Sequence, residues 1–267
     1  MSESIHSETI TIGDFDLVTV PCLSDNYAFL LHHRPSGETA LVDVPEAGPI
    51  MAELRERDWP LNQIWLTHHH FDHVDGLETL AEAYPAPVYG AEADAARLPP
   101  LDHKIADGGQ FDFAGATVDV WDVSGHTIGH IAFYVADAKA AFTADSLMAL
   151  GCGRLFEGTP DQMWTSLQKL RGLPADTWIC SGHEYTASNA KFALSVCPDN
   201  AELVKRATEI TRLRQEGRFT VPSLLSLESA TNPFLRPEDA AIRATLDMAD
   251  ASDTAVFAEI RSRKDSF

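Results

Sequence analysis

The sequence contains no uninterrupted apolar run that approaches the ~18 residues a membrane-spanning helix requires. Its first residues, MSESIHSETITIGDF, have neither the basic start nor the apolar stretch of a secretory signal peptide. Internal repeats and low-complexity linkers are also missing. We therefore expect no membrane partner and no export, and we predict a cytoplasmic protein.

Basic residues are scarce, with 20 Lys and Arg against 40 Asp and Glu and a net charge of −20. A field of this sign repels phosphate backbones, and no long Lys/Arg tract offsets it locally. The composition therefore predicts no nucleic-acid partner. An anionic substrate requires that basic residues gather at one place.

Cysteine is also rare, and the four residues Cys22, Cys152, Cys180 and Cys197 form no C-x-x-C pair. In a chain this long they do not constitute a disulfide framework, so we expect buried thiols in a reducing compartment. No histidine close in sequence marks Cys22 or Cys152 as a nucleophile, and both are expected to be packing residues.

Short apolar runs fill the first ~180 of the 267 residues, and hydrophobic residues make up 45% of the chain. Helical patterns interrupt them, as where Leu77, Leu80, Ala81 and Tyr84 share one helical face. Strands joined both by hairpins and by helices indicate a mixed sheet with helices packed on it, an α/β (α+β) fold. The nine predicted strands are DLVTVPCL, YAFLLH, TALVDV, QIWLTH, APVYGA, ATVDVWDV, HIAFYVA, AAFTA and TWICSG.

One helix has clear sequence signals at both ends. Thr159 is a predicted N-cap, Pro160 occupies the first helical position and Gln162 the third, and Gly172 offers a stop. After about residue 183 helical patterns predominate, as in NAELVKRATEITRLRQEG. We therefore divide the chain into a mixed domain, residues 1–183, and a small helical domain, residues 184–267.

The stretch THHHFDH, residues 67–73, concentrates four of the 11 histidines at the end of a predicted strand. In extended backbone alternate side chains share a face, so His68 and His70 point one way. His69 and Phe71 point the other way and are expected to be ordinary packing residues. Imidazole and carboxylate groups at this spacing suit zinc or a similar divalent ion.

Asp72 falls on the face of His68 by parity, and His73 can join it if the chain turns there. Three further candidates, His126, Asp145 and His183, lie at strand ends or beside glycine in VSGHTIGH, FTADSL and CSGHEYT. The combined set of five histidines and two aspartates suits two metal ions that share a carboxylate.

H-x-H-x-D-H followed by G-H-T, A-D-S and G-H-E resembles the metallo-β-lactamase superfamily, whose fold is an αββα sandwich with a metal site at one edge. The stretches PCLSDNYAFLL, GCGRLFEGT, CSGHEYT, NPFLR and RSRKD narrow the resemblance to its glyoxalase II (hydroxyacylglutathione hydrolase) family. These motifs cover nearly the whole chain. The resemblance implies that residues 1–183 are catalytic and that residues 184–267 bind substrate.

The resemblance also implies two divalent ions per chain, most simply zinc, with iron or manganese also compatible. Asp72 and Asp145 would orient the bridging hydroxide that attacks the substrate. His130 is expected at the start of a strand or beside a ligand rather than as a ligand itself. The implied ligands are His68, His70 and His126 for the first ion, Asp72, His73 and His183 for the second, and Asp145 for both.

The implied substrate is S-D-lactoylglutathione or a related 2-hydroxyacylglutathione, cleaved to glutathione and D-lactate as the second step of methylglyoxal detoxification. Its glycine carboxylate needs cationic partners, and Arg261 and Lys264 are neighbours on one face of the last helix. Arg154 and Tyr185 also match glutathione-binding positions of the family. Phe156 stands where a tyrosine is common.

Two classes of alternative remain open. Another metallo-β-lactamase-fold hydrolase or a persulfide dioxygenase shares the signature, although single-iron dioxygenases lack a full second metal set. A non-catalytic glutathione- or metal-binding module would be marked by a lost ligand, and none is lost here. A monomer with a small-molecule substrate is the expectation for partners.

Overall fold

The computed structural model describes residues 7–267. Their contacts divide the chain into two compact units. The first unit comprises residues 7–122 and 129–144, and the second comprises residues 123–128 and 145–267. The second unit therefore contains a six-residue segment that the sequence places among the strands of the first.

Seven strands of the first unit form one sheet in chain order. They are β1 (Glu8–Ile12), β2 (Phe15–Cys22), β3 (Asn26–His33), β4 (Glu38–Val42), β5 (Gln63–Trp65), β6 (Val88–Ala91) and β7 (His103–Ile105). β1 to β4 are antiparallel, whereas β4 to β7 are parallel. Helices connect the parallel strands because a parallel pair needs a crossover connection.

Four more strands of the first unit form an antiparallel sheet in chain order. They are β8 (Gln110–Phe113), β9 (Ala116–Asp122), β10 (Ile131–Val135) and β11 (Ala140–Ala144). Trp65 of β5 contacts Phe113, Phe133 and Phe142 at ring-centroid distances of 5.5, 5.4 and 6.0 Å. These contacts show that the two sheets stack face to face over an aromatic core.

The helices of the first unit are α1 (Ala47–Arg57), α2 (Phe71–Val74) and α3 (Leu77–Ala83), with a 3₁₀ turn at Glu92–Asp94. Ile50 and Leu54 of α1 are fully buried, and the helix packs on β2. Leu77 and Leu80 of α3 are buried as the sequence predicts. The helices thus cover the outer side of the seven-stranded sheet through apolar faces.

The second unit is mostly helical. Its helices are α4 (Pro160–Arg171), α5 (Thr186–Val196), α6 (Ala201–Gln215), α7 (Leu225–Thr231), α8 (Ala240–Leu246) and α9 (Asp253–Asp265). Its short strands are β12 (Leu147–Met148), β13 (Gly151–Cys152), β14 (Trp178–Ser181) and β15 (Ser223–Leu224), and Pro233–Leu235 is a 3₁₀ turn. Phe234 anchors its core, with ring centroids 5.9 Å from Phe192 and 6.0 Å from Phe257.

The N-terminus of α4 confirms its sequence signals. The Thr159 side chain accepts a hydrogen bond from the Gln162 amide, and the Gln162 side chain accepts one from the Thr159 amide. This reciprocal capping box satisfies two amides that have no partner within the helix. All nine predicted strands also form, with shifted ends. Within residues 7–267, no helix is long and apolar enough to span a bilayer.

Candidate metal centre

The first unit brings four predicted ligands together where β5 ends. His68 and His70 come from the irregular segment after the strand, and the helical turn of α2 then carries Asp72 and His73. The imidazole centroid of His68 lies 4.7 Å from that of His70 and 4.2 Å from that of His73. The alternation of side-chain direction expected of a strand therefore ends before Asp72, and a helical turn sets the directions of the Asp72 and His73 side chains.

Asp43 holds this cluster through hydrogen bonds. It directly follows β4 and has a left-handed backbone conformation (φ 59°). Its buried carboxylate accepts hydrogen bonds from the Thr67 amide (2.9 Å), the Thr67 hydroxyl (2.8 Å) and His73 Nδ1 (2.8 Å). A carboxylate partner makes Nδ1 the donor, which leaves Nε2 of His73 to bind a metal. One atom each from Asp43, His68 and His73 lie within 4.8 Å of one another.

Asn26, at the start of β3, holds Asp72. Its Nδ2 donates to the main-chain oxygen and to Oδ2 of Asp72, both at 3.0 Å. Asn26 is buried and belongs to the stretch PCLSDNYAFLL. Residue-by-residue reasoning missed both Asn26 and Asp43, because an isolated amide or carboxylate at a strand end carries no distinctive spacing.

His69 and Phe71 behave differently from each other. His69 Nδ1 lies 2.9 Å from Oδ2 of buried Asp94, whose other oxygen accepts from Arg97 Nε. Phe71 is 70% exposed, so the prediction that it packs is wrong. The helical turn that begins at Phe71 points its ring outward. His130 directly precedes β10, as predicted, and stacks on His68 with centroids 4.5 Å apart.

The second unit brings His126, Asp145 and His183 together. Asp145 Oδ2 lies 3.3 Å from Nε2 of His126 and 3.3 Å from Nε2 of His183. His126 Nδ1 donates to the main-chain oxygen of Arg154 at 2.8 Å, so its Nε2 is the nitrogen available to a metal. All three side chains are buried. A single carboxylate oxygen thus faces two imidazole nitrogens, an arrangement suited to a bridging ligand.

Glycine permits the close approach around His126 and Asp145. A Cβ on Gly153 would lie 1.9 Å from the Asp145 main-chain oxygen and 2.9 Å from His126 Nδ1. Gly125, at φ 150°, leaves room for Met163 of α4, and the Ser166 hydroxyl donates to the Ser124 oxygen at 2.7 Å. Helix α4 therefore fixes the loop that carries His126.

The donor types fit divalent ions. Imidazole and carboxylate donors are oriented by hydrogen bonds to their far atoms, which is the usual arrangement around bound metals. The clusters of potential metal donors among residues 7–267 contain no cysteine, and burial raises the pKa of Cys22 to about 12 and that of Cys152 to about 11. Such thiols stay protonated near neutral pH and are poor ligands and nucleophiles.

The predicted substrate cations gather at α9. Arg261 is buried, with Nη1 donating to the Cys152 oxygen (2.8 Å) and Nη2 to Asp265 (2.9 Å). Lys264 Nζ lies 3.3 Å from the Ser188 hydroxyl. Desolvation, followed by the charges of Arg261 and Arg154, lowers the pKa of Lys264 below the ordinary lysine range. This is a local concentration of positive charge in an acidic chain.

The other two predicted substrate residues are more accessible. Arg154 has a largely exposed side chain with Nε 3.7 Å from Asp265. The Tyr185 ring stacks on His183 at 4.6 Å with an interplanar angle of 7°. Phe156 is 63% exposed and meets His126 edge-on. These aromatic rings border the imidazoles of the second unit and offer contact area to a ligand.

Comparison with known proteins identifies the family. The family model described as the metallo-beta-lactamase superfamily matches residues 25–183, and the model described as hydroxyacylglutathione hydrolase C-terminus matches residues 184–267. A hydroxyacylglutathione hydrolase of Ruegeria pomeroyi is 66% identical over 252 residues, covering 94% of this chain and 99% of the relative. One from Brucella anthropi is 52% identical, covering 92% and 95%.

Solved structures confirm the fold. ETHE1 from Myxococcus xanthus has a TM-score of 0.64 at 20% identity and covers 96% of this chain and 90% of its own. TTHA1623, crystallised in a di-iron-bound form, has a TM-score of 0.59 at 25% identity, covering 82% and 99%. The chain belongs to the hydroxyacylglutathione hydrolase family of the metallo-β-lactamase superfamily.

Proposed function

We propose that this chain hydrolyses the thioester of S-D-lactoylglutathione, and of related 2-hydroxyacylglutathiones, to glutathione and a 2-hydroxy acid. Relatives that are 52–66% identical to this chain, and that align over nearly their whole length, are named hydroxyacylglutathione hydrolases, which supports the proposal. The observation that carries it is the placement of Asp145, whose Oδ2 lies 3.3 Å from the Nε2 atoms of both His126 and His183.

The proposed centre would hold two divalent ions, zinc in the simplest case. Such ions lower the pKa of water and polarise the thioester carbonyl. We assign His68, His70 and His126 to one ion, Asp72, His73 and His183 to the other, and Asp145 to both. The hydrogen bonds of Asp43 to His73 and of the Arg154 oxygen to His126 support this assignment, because they direct Nε2 of each imidazole toward an ion.

The protein groups orient the attacking water. Asn26 holds Oδ2 of Asp72 by a hydrogen bond. Asp72 is proposed to accept a hydrogen bond from the water and to align the water oxygen with the carbonyl carbon. Asp145 is proposed to do the same from the second unit. The leaving group is a thiolate whose conjugate acid has a pKa of ~8.5, so departure needs no strong general acid.

Recognition is proposed to lie in the glutathione half of the substrate. Lys264, Arg154 and Arg261 supply the positive charge that the glycine carboxylate needs. Tyr185 is proposed to contact the same half of the ligand. The family models that meet at residues 183 and 184 support a division into a catalytic domain and a substrate-binding domain at that point.

We also propose a cellular location and an oligomeric state. Within the described residues, four buried cysteines form no disulfide bond, which suits a reducing compartment and supports a cytoplasmic location. A monomer is proposed because the ligand set comes from one chain. Size-exclusion chromatography with light scattering tests the second point directly.

The function is tested by measuring thioester hydrolysis and metal content together. We expect purified protein to contain two metal ions per chain and to hydrolyse S-D-lactoylglutathione. Activity should disappear on chelation and return with Zn²⁺. Oxygen consumption with glutathione persulfide, measured in parallel, should stay at background.

Each alternative has its own outcome. Two ions per chain without thioester hydrolysis would indicate a binding module and overturn the proposal. One iron per chain with persulfide-dependent oxygen consumption would indicate a dioxygenase. Comparison of S-D-lactoylglutathione with other glutathione thioesters then defines the acyl groups that the enzyme accepts.

A further inference from the structure

The segment immediately after Asp145 is a buried two-stranded hairpin. In this hairpin Leu147 of β12 pairs with Cys152 of β13, and Met148 pairs with Gly151. Leu150, in the turn, has a left-handed backbone conformation with φ 54°. The hairpin is almost fully buried. Main-chain oxygens and amides at a buried turn need partners, since an unsatisfied one costs free energy comparable to a lost hydrogen bond.

Side chains of the C-terminal helices and their connections supply those partners. Asn232 Nδ2 donates to the oxygens of Met148 (3.1 Å) and Gly151 (3.0 Å). Asn189 Nδ2 donates to the Ala149 oxygen at 3.0 Å, and Glu228 Oε2 accepts from the Leu150 amide at 2.8 Å. Arg261 Nη1 donates to the Cys152 oxygen at 2.8 Å. We call these four side chains, Asn189, Glu228, Asn232 and Arg261, the hairpin clamp.

The clamp is itself held by a buried ion pair. Glu228 is fully buried and pairs with Arg206 of α6, and it also accepts from the Ser223 hydroxyl at 2.6 Å. Arg206 Nη1 donates to the Thr231 hydroxyl at 2.7 Å. Asn232 Nδ2 lies 3.2 Å from Glu228 Oε2, so Asn232, Glu228 and Arg206 belong to one network. A connected, satisfied polar network in low dielectric is rigid.

The hairpin connects directly to the ligands of the second unit. Asp145 precedes it, and the Gly153 amide donates to the Ser146 oxygen at its base (3.2 Å). The next residue, Arg154, provides the oxygen that receives Nδ1 of His126. A shift of the hairpin would therefore move the Asp145 carboxylate and the support of His126 together.

We propose that Asn232, acting through the hairpin clamp, is a positioning residue for Asp145 and His126. The inference rests on the proposed function, because it takes these two side chains as metal ligands. It gives the NPFLR stretch and the helices around it a role in metal binding in addition to a role in holding substrate. Asn232 is fully buried and contacts the main chain of the hairpin, so its effect is transmitted through residues 147–152.

The test uses Asn232→Asp in the full chain. The substitution preserves the oxygen that accepts from the Phe234 amide, but it removes the donations to the hairpin and places a carboxylate against two carbonyls. Asn200→Asp is the matched control. The Oδ1 atom of Asn200 also accepts from a helix amide, that of Leu203, and its Nδ2 donates to the main-chain oxygen of Ala230 rather than to the hairpin.

Metal-free proteins are titrated with Zn²⁺ against a chromophoric chelator, and the visible spectrum of the Co²⁺-loaded form is recorded. We expect Asn232→Asp to bind at least one Zn²⁺ about 10- to 100-fold more weakly, the usual cost of disturbing a ligand's support. We also expect an altered cobalt spectrum, a lower kcat and an unchanged KM for S-D-lactoylglutathione. Asn200→Asp should match the wild type in all four.

Asn189→Asp removes one donation to the hairpin and should weaken Zn²⁺ binding in the same direction by a smaller factor; it decides the question if Asn232→Asp does not fold. Wild-type zinc affinity and cobalt spectra in the folded variants, with only a lower Tm, would overturn the inference. A wild-type protein that binds no Zn²⁺ would instead overturn the proposed function and remove the basis of the inference.

Discussion

Two buried carboxylates beside the histidine cluster hold different partners. Asp43 accepts a hydrogen bond from His73, a proposed ligand, whereas Asp94 accepts from His69, which is not assigned to a metal. Both belong to the first unit and both are almost fully buried. Comparing substitutions of Asp43 and Asp94 therefore distinguishes an effect on a proposed metal ligand from an effect on the stability of the loop.

Asp43→Asn is expected to weaken Zn²⁺ binding about 10- to 100-fold, because an amide at this position no longer favours the Nδ1–H tautomer of His73. Asp94→Asn is the matched control and should retain nearly wild-type affinity. Competition with a chelator measures both. Equal losses in the two variants would show that Asp43 acts only on the fold.

Lys264 is expected to bind the carboxylate of the substrate through its charge. Lys264→Ala should raise KM for S-D-lactoylglutathione about tenfold with metal content unchanged, as expected for loss of a charge-assisted hydrogen bond. Desolvation lowers the pKa of this amine, so its charge is present below that pKa and is lost as pH rises, earlier than for an ordinary lysine. Wild-type KM should therefore rise with pH below the usual lysine range.

The Lys264→Ala variant provides the control for that pH profile. Its KM is already high and should lack the alkaline rise, because the titrating group is gone. A variant with the same pH profile as the wild type would assign the titration to another group. Steady-state kinetics between neutral and alkaline pH are sufficient.

Among single residues, the proposed metal donors could be identified from the sequence, but the residues that hydrogen-bond to them could not. The proposed ligands are histidines and aspartates in distinctive spacings next to strand ends or glycines, and such patterns are visible in one dimension. Asp43, Asn26 and Asn232 act through contacts with residues 30, 46 and 84 positions away. Single polar residues at such separations have no local signature.

Among the elements, α4 combines a strong N-terminal signal with contacts to the loop that carries His126. Its capping box joins Thr159 and Gln162, and its Ser166 holds the oxygen of Ser124. The helix therefore contributes both local stability and the position of residues 123–128.

Thr159→Ala is expected to lower the free energy of unfolding by about 1 kcal/mol, because it leaves the Gln162 amide without its cap. Thr165→Ala is the control, since the Thr165 hydroxyl only bonds back to the Asp161 oxygen one turn earlier and is exposed. Urea unfolding of both variants gives the comparison. A Thr165→Ala loss as large as that of Thr159→Ala would refute the capping argument.

Elements with clear periodicity or caps were predictable, whereas very short ones were not. The hairpin β12–β13 and strand β15 consist of two-residue strands that exist because tertiary partners pair them. β8, with the sequence QFDF, alternates but is too short to stand out. The prediction for Phe71 failed for a related reason, since strand alternation was extended into the helical turn of α2.

The molecule as a whole contains four buried thiols with raised pKa values. Well below pH 9 these thiols are protonated in both the folded and the unfolded states. Between pH 9 and about 11 the unfolded chain loses protons that folded Cys22 and Cys152 keep, with pKa values of about 12 and about 11. Folding stability is therefore full below pH 9 and falls as pH rises through this window.

Cys22 and Cys152 are each expected to contribute a slope of about 1.4 kcal/mol per pH unit in that window. Urea unfolding at pH 8 and pH 10 should show the loss in the wild type. The double variant Cys22→Ala/Cys152→Ala should be less stable at pH 8 but less sensitive to pH. An unchanged slope in the variant would mean that other groups control alkaline unfolding.

The discontinuous second unit limits how the protein can be divided. A cut between residues 183 and 184 follows the family models, yet it separates the hairpin from Asn189, Asn232 and Arg261. A cut after residue 144 instead removes residues 123–128 from α4. Neither single cut leaves the second unit whole, so an exchange of the proposed substrate-binding helices between family members should transfer residues 123–128 together with residues 145–267.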